Sequence, residues 1–68
     1  MAFAKLSPEV RLIAERELTR KQLDVLKLWL AGAGTTRISV MLGVSDSTVR
    51  GHLRRAFQKL QPYMEEES

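Results

Sequence analysis

Residues 35–60 read TTRISVMLGVSDSTVRGHLRRAFQKL. Two apolar periodicities run through this stretch, with a glycine between them. Ile38, Met41 and Leu42 recur at helical spacing over barely two turns, and Thr35 or Thr36 is placed to cap their start. Gly43 and Val44 interrupt the pattern, and Ser45 can then accept a hydrogen bond from a free N–H of a helix that begins around Asp46. Beyond it Val49, Leu53, Phe57 and Leu60 recur at spacings of four, four and three, the apolar stripe of a longer helix that Pro62 and the glutamates after it are expected to end. The pattern predicts a short helix, a tight turn and a long helix. Helices joined so closely cross with little clearance, which suits the small Ser39 and the conformational freedom of Gly43. Ile38, Leu42, Val44 and Val49 are expected to seal the corner.

Such a pair of helices has too little core alone and must rest on another helix. Upstream, Leu23, Leu26 and Leu30, flanked by Val25 and Trp29, make a broad apolar face opposite a polar stripe of Arg20, Asp24 and Lys27. Thr19 and Gln22 fit a capping box, and Leu18 with Leu23 fits the hydrophobic staple across it. The glycines at 32 and 34 are expected to stop this helix. Trp29 is assigned to the core, and Leu28, near the polar stripe, to a contact with a first helix. That first helix is predicted over about residues 8–17, with Ser7 at the N-cap, Pro8 at the first helical position and Val10, Ile13 and Ala14 following. Nothing alternates with period two. The expected fold class is therefore all-α: a four-helix domain over residues 7–61, between a flexible N-terminus at 1–6 and an acidic flexible tail at 62–68.

A chain of 68 residues with no Cys holds one small core and no disulfide, thiolate zinc site or thiol nucleophile. Its apolar stretches are broken by charge or Gly within a few residues, and residues 1–6 lack an export-signal core, so neither a membrane span nor secretion is expected and the assigned location is cytoplasmic. There is one His, and Gly32-Ala33-Gly34 lacks both the preceding strand and the following Lys of a phosphate loop. No catalytic residue, metal, cofactor or small-molecule ligand is assigned, and His52 is read as a partly buried hydrogen-bonding residue.

Eleven Lys and Arg against eight Asp and Glu give a formal charge of +3 and a pI near 9.8. Placement matters more than the total. Between residues 47 and 60 the bases Arg50, Arg54, Arg55 and Lys59 occur with no acid, whereas Glu65, Glu66 and Glu67 gather at the end. With Val49, Leu53 and Phe57 inward, the long helix turns Ser47, Arg50, Gly51, Arg54 and Gln58 outward, with Thr48, His52 and Arg55 on its flanks. Arginine has a planar fork that can bond O6 and N7 of guanine together, and the major groove of duplex DNA admits a helix. Gly51 between the two arginines permits close approach, at a helix-propensity cost of about 1 kcal/mol relative to Ala.

Leu18-Thr19-Arg20-Lys21-Gln22, Val25-Leu26, Gly32, Ile38, Leu42-Gly43-Val44-Ser45, Thr48-Val49-Arg50 and Lys59-Leu60 together resemble the helix-turn-helix shared by LuxR-type response regulators and region four of bacterial sigma factors. His52 after Thr48-Val49-Arg50-Gly51 is similar to the LuxR-type pattern, and Leu53-Arg54-Arg55-Ala56 to the sigma-factor one. The resemblance implies a transcriptional regulator that binds double-stranded DNA with its last helix in the major groove. By it Arg50, Gly51 and Arg54 are base-facing, with Ser47 beside them, and Thr36 and Thr48 lie near phosphates. Thr35, Arg37 and Arg55 complete the expected phosphate set. Arg37 stands where these families usually carry an acid, and Ser39 where they usually carry Ala. LuxR-type domains continue past the Lys-Leu pair into another helix that often dimerises, and Gln61-Pro62 is read as a stop at that point. Partners implied besides DNA are RNA polymerase and a second copy of the chain. A rival reading is a protein-binding adaptor that keeps the fold and uses the basic helix, or the face around Leu28 and Met41, to hold polymerase or another regulator.

Overall fold

A computed structural model describes residues 2–67 of the chain, with side chains as far as Tyr63. A 3-10 turn at Phe3–Lys5 precedes four α-helices: α1 (Pro8–Glu17), α2 (Arg20–Leu30), α3 (Thr35–Leu42) and α4 (Asp46–Glu67). No strand occurs among the described residues. α4 is the axis of the molecule, packing against α1, α2 and α3 in turn. Ala14, Leu18, Val25, Leu26, Ile38, Val49, Leu53, Ala56 and Leu60 form one buried cluster to which every α-helix contributes, with Leu18 at the junction of the first two.

Local chemistry sets most boundaries. Ser7 Oγ accepts from the Val10 N–H and Pro8 occupies the first turn of α1. The capping box at α2 is complete: Thr19 Oγ1 accepts from the Gln22 N–H at 3.2 Å, and Gln22 Oε1 accepts from the Thr19 N–H at 3.1 Å. Gly32 ends α2 with φ of +107°, and Gly43 ends α3 with φ of +69°. At the second of these turns the Val44 N–H reaches the Ser39 carbonyl at 3.1 Å, the long backward bond of a Schellman ending. The chain then reverses into Ser45, whose Oγ accepts from the Thr48 N–H at 3.1 Å and caps α4.

Several expectations need correction. Neither Thr35 nor Thr36 caps α3: Gly34 occupies the cap without a side-chain bond, its carbonyl already accepting from the Ile38 N–H at 3.0 Å. Met41 and Leu42 do not join Ile38 in the core; both are exposed. Trp29 is 41% exposed and meets Phe57 edge-on, with ring centroids 5.3 Å apart. Leu28 lines a surface cleft with Ala33, Arg37 and Met41, so it faces α3 rather than α1. Ala56 is completely buried, whereas Phe57, expected inward, is only half-buried. A small side chain at 56 lets α4 lie close to its neighbours, and the bulky ring beside it is displaced to the rim.

Regular structure extends into both ends of the described chain. Residues 3–5 form the 3-10 turn, with Phe3 half-buried and the Lys27 ammonium 5.1 Å from its ring centroid. Pro62 does not stop α4, which continues to Glu67. Proline costs a helix one N–H donor, and here Gln58, whose carbonyl is left without that helical partner, and Pro62 are both exposed, so water can serve the carbonyl. Met1 and Ser68, at the outer ends of the segments read as flexible, lie outside the described residues.

Candidate nucleic-acid interface

Val49, Leu53, Ala56 and Leu60 are buried along one side of α4, and that pattern forces the intervening residues outward. Ser47, Thr48, Arg50, Arg54, Arg55 and Gln58 are all exposed. Gly51 lies among them, and apart from its own turn of helix no atom comes within 4 Å of the position a Cβ would take. It therefore answers no packing demand inside the domain. At α3, Thr36 and Arg37 are exposed and Thr35 is half-buried. The first turn of α3 and the first half of α4 are held by a shared core, since Ile38 and Val49 are both completely buried. Among the described residues no hydrogen bond or ion pair links the α3 candidates directly to those on α4.

The hydroxyls at the start of α4 are partly committed. Ser45 Oγ lies 3.1 Å from Ser47 Oγ and 2.7 Å from Thr48 Oγ1, so both candidate hydroxyls are drawn toward the cap. In α3 the Ser39 hydroxyl donates to the Thr36 carbonyl at 2.6 Å, a back-bond that satisfies a half-buried polar side chain within its own helix.

The cations fall into three groups. Arg37, Arg54 and Arg55 make no ion pair among the described residues and carry their charge into solvent. Arg50 Nη2 meets Asp46 Oδ2 at 3.0 Å, one turn away, with side chains 66% and 36% exposed. A helical pair of this kind contributes only about 0.3–0.5 kcal/mol, so it orients Arg50 more than it removes it from use. Lys59 is different: its Nζ donates to the Glu17 carbonyl at the end of α1 and to Gln22 Oε1 in the capping box of α2, each at 3.1 Å. Its charge complements the negative end of α1 and tethers three helices together. Of the four bases in the acid-free segment, Lys59 is thus the one engaged by other helices.

His52 is half-buried beside a cleft of about 200 Å³ lined with Lys21, Asp24, Val25, Leu42 and Val44. The hydrogen bond expected of it is absent at Nδ1, which is enclosed and has no partner among the described residues. Two roles were missed in the sequence. Asp46 was read only as the start of a helix, although an acid four residues before an arginine is a visible pairing signal. The Lys59–Gln22 bond spans residues far apart in the chain, and no local pattern announces it.

These side chains form an outward basic ridge on a helix whose other face is core. Arginine forks, small hydroxyls and a bare glycine on one helical surface suit the phosphates and base edges of a duplex. No match was found among curated proteins or among solved structures. The GerE domain, described as bacterial regulatory proteins of the luxR family, matches residues 16–62. That span takes in α2, α3 and α4 as far as Pro62, more than half of the chain, and leaves nearly all of α1 outside it. The chain thus belongs to the luxR family of bacterial regulatory proteins, whose helix-turn-helix is a DNA-binding domain of transcriptional regulators.

Proposed function

We propose that this chain reads duplex DNA sequence-specifically, laying the first half of α4 in the major groove. Ser47, Arg50, Gly51 and Arg54 face the bases in this arrangement, and Thr35, Thr36, Arg37, Thr48 and Arg55 approach the phosphates on either side. The observation that carries the reading is the ridge of Arg50, Gly51 and Arg54, exposed or unpacked along a helix whose opposite stripe is buried. Gly51 supports it further. A mid-helix glycine weakens the helix, and close approach to a groove is a physical reason to keep one there.

The test is selection of bound sequences from a random duplex pool, followed by fluorescence-anisotropy titration of the selected duplex. Arg50→Ala and Arg54→Ala are each expected to weaken binding at least about tenfold, equivalent to about 1.4 kcal/mol, and to relax preference at a different base pair. Affinity is expected to fall steeply as salt rises, because neutralised phosphates release their counterions. Equal binding by the wild type and the doubly substituted protein at low salt would remove the reading.

A second reading has its own support. Val40 and Met41 are 78% and 55% exposed, and Met41 borders a cleft of about 250 Å³ with Leu28, Ala33 and Arg37. An apolar surface on α3 suits attachment of another protein such as RNA polymerase. An adaptor working through that face would show neither the salt dependence nor the base-specific losses.

A further inference from the structure

Asp46 and Arg50 stand one turn apart at the start of α4, and the two oxygens of the Asp46 carboxylate have different surroundings. Oδ2 lies 3.0 Å from Arg50 Nη2, whereas Oδ1 is enclosed and has no hydrogen-bond partner among the described residues. An aspartate can read cytosine by accepting from its exocyclic amine, but this needs an oxygen open to the groove. Asp46 has one oxygen turned inward and the other directed at Arg50, so reading a base itself is not the role its geometry suits. The helix N-terminus, with its unpaired N–H groups, favours an acidic side chain at that position. The contact engages Nη2 and leaves enough of the five guanidinium N–H donors for a two-pronged bond to O6 and N7 of guanine. Arg54, one turn on, has no acidic partner among the described residues. The same helix thus presents one braced arginine and one free one.

We propose that Asp46 is a positioning residue that braces Arg50, so that the base pair under Arg50 is read more stringently than the one under Arg54. The inference rests on the reading of α4 as a major-groove helix. Its physical basis is preorganisation: a side chain already confined near its bound conformation loses less freedom on contact. A braced guanidinium also swings less readily to a neighbouring phosphate when the guanine is replaced by another base. The carboxylate opposes close phosphates as well, which penalises binding without base contacts.

The experiment measures binding of the full chain to the selected duplex and to every single base-pair variant of it, for the wild type and for Asp46→Asn, Asp46→Glu, Arg50→Ala and the Asp46→Asn/Arg50→Ala double variant. Asp46→Asn is expected to lose about twofold of the discrimination at one base pair, the share that an exposed helical ion pair can supply. That pair is the one Arg50→Ala affects. Binding of Asp46→Asn to random duplex is expected to tighten, and Asp46→Glu, which keeps the charge, to retain the preference. In the Arg50→Ala background Asp46→Asn is expected to change no base preference. Thermal unfolding of each variant establishes that the fold is kept. In the free protein, guanidinium rotation followed by 15N NMR is expected to be slower for Arg50 than for Arg54. Wild-type discrimination in Asp46→Asn, an equal loss at all base pairs, or equally fast rotation of the two arginines would overturn the brace alone. A wild type without any base preference would overturn the reading of α4, and the brace with it.

Discussion

Gly51 separates what the fold needs from what the surface needs. Apart from its own turn of helix, a Cβ there would meet no atom within 4 Å, and the residue is not at a positive φ, so nothing in the domain requires glycine. Gly51→Ala is therefore expected to stabilise the protein by about 0.5–1 kcal/mol, read as a higher unfolding midpoint, through helix propensity. The same change is expected to weaken duplex binding, because a methyl group on the ridge holds the helix away from the bases. Higher stability with unchanged affinity would show that close approach at this residue is not needed. Arg54 and Lys59 make the complementary point. Both lie in the acid-free segment, yet one reaches into solvent and the other ties α4 to the end of α1 and the start of α2. Spacing placed Arg54 outward, but only the packing of three helices gives Lys59 its partners.

Among the elements, the turn between α3 and α4 carries the strictest backbone demand. Gly43 has a left-handed φ of +69° with open space around it, so the cost of a side chain there is conformational rather than steric. Gly43→Ala is expected to destabilise the domain by about 1–2 kcal/mol, measured by urea unfolding, with no direct effect on the ridge. An unchanged midpoint would mean that the turn relaxes readily. This turn was legible beforehand because glycine, a following apolar residue and a serine cap each have a local physical cause. The start of α3 was not. Both threonines are good caps by residue type, yet the first helical bond runs from the Ile38 N–H to the Gly34 carbonyl, and no local preference selects glycine over them. The end of α4 differs from its local signal: proline opposes a helix, but the Gln58 carbonyl that loses its partner belongs to an exposed residue, and the helix tolerates the missing bond.

At the scale of the whole molecule, α4 sets the shape. Twenty-two helical residues at about 1.5 Å each span about 33 Å, and the longest dimension of the molecule is 33 Å. The shorter helices cluster around part of that rod and leave a core of few side chains. Ile38→Ala, at a completely buried site, is expected to cost about 2–4 kcal/mol, a large share of the stability of a domain this small. Val40→Ala, two residues away at an exposed site, is expected to change the urea midpoint little, within about 0.5 kcal/mol. Similar losses from both would place the core elsewhere. The helix count, the bihelical corner, the capping box and the outward arginines were all readable from residues in order, since each follows from periodicity or from hydrogen bonding over three or four residues. Contacts between distant segments were not. The placement of Trp29 at the rim, the turn of Leu28 toward α3, the burial of Ala56 and the tether from Lys59 to Gln22 depend on how close the helices approach and at what rotation, quantities that no local pattern encodes.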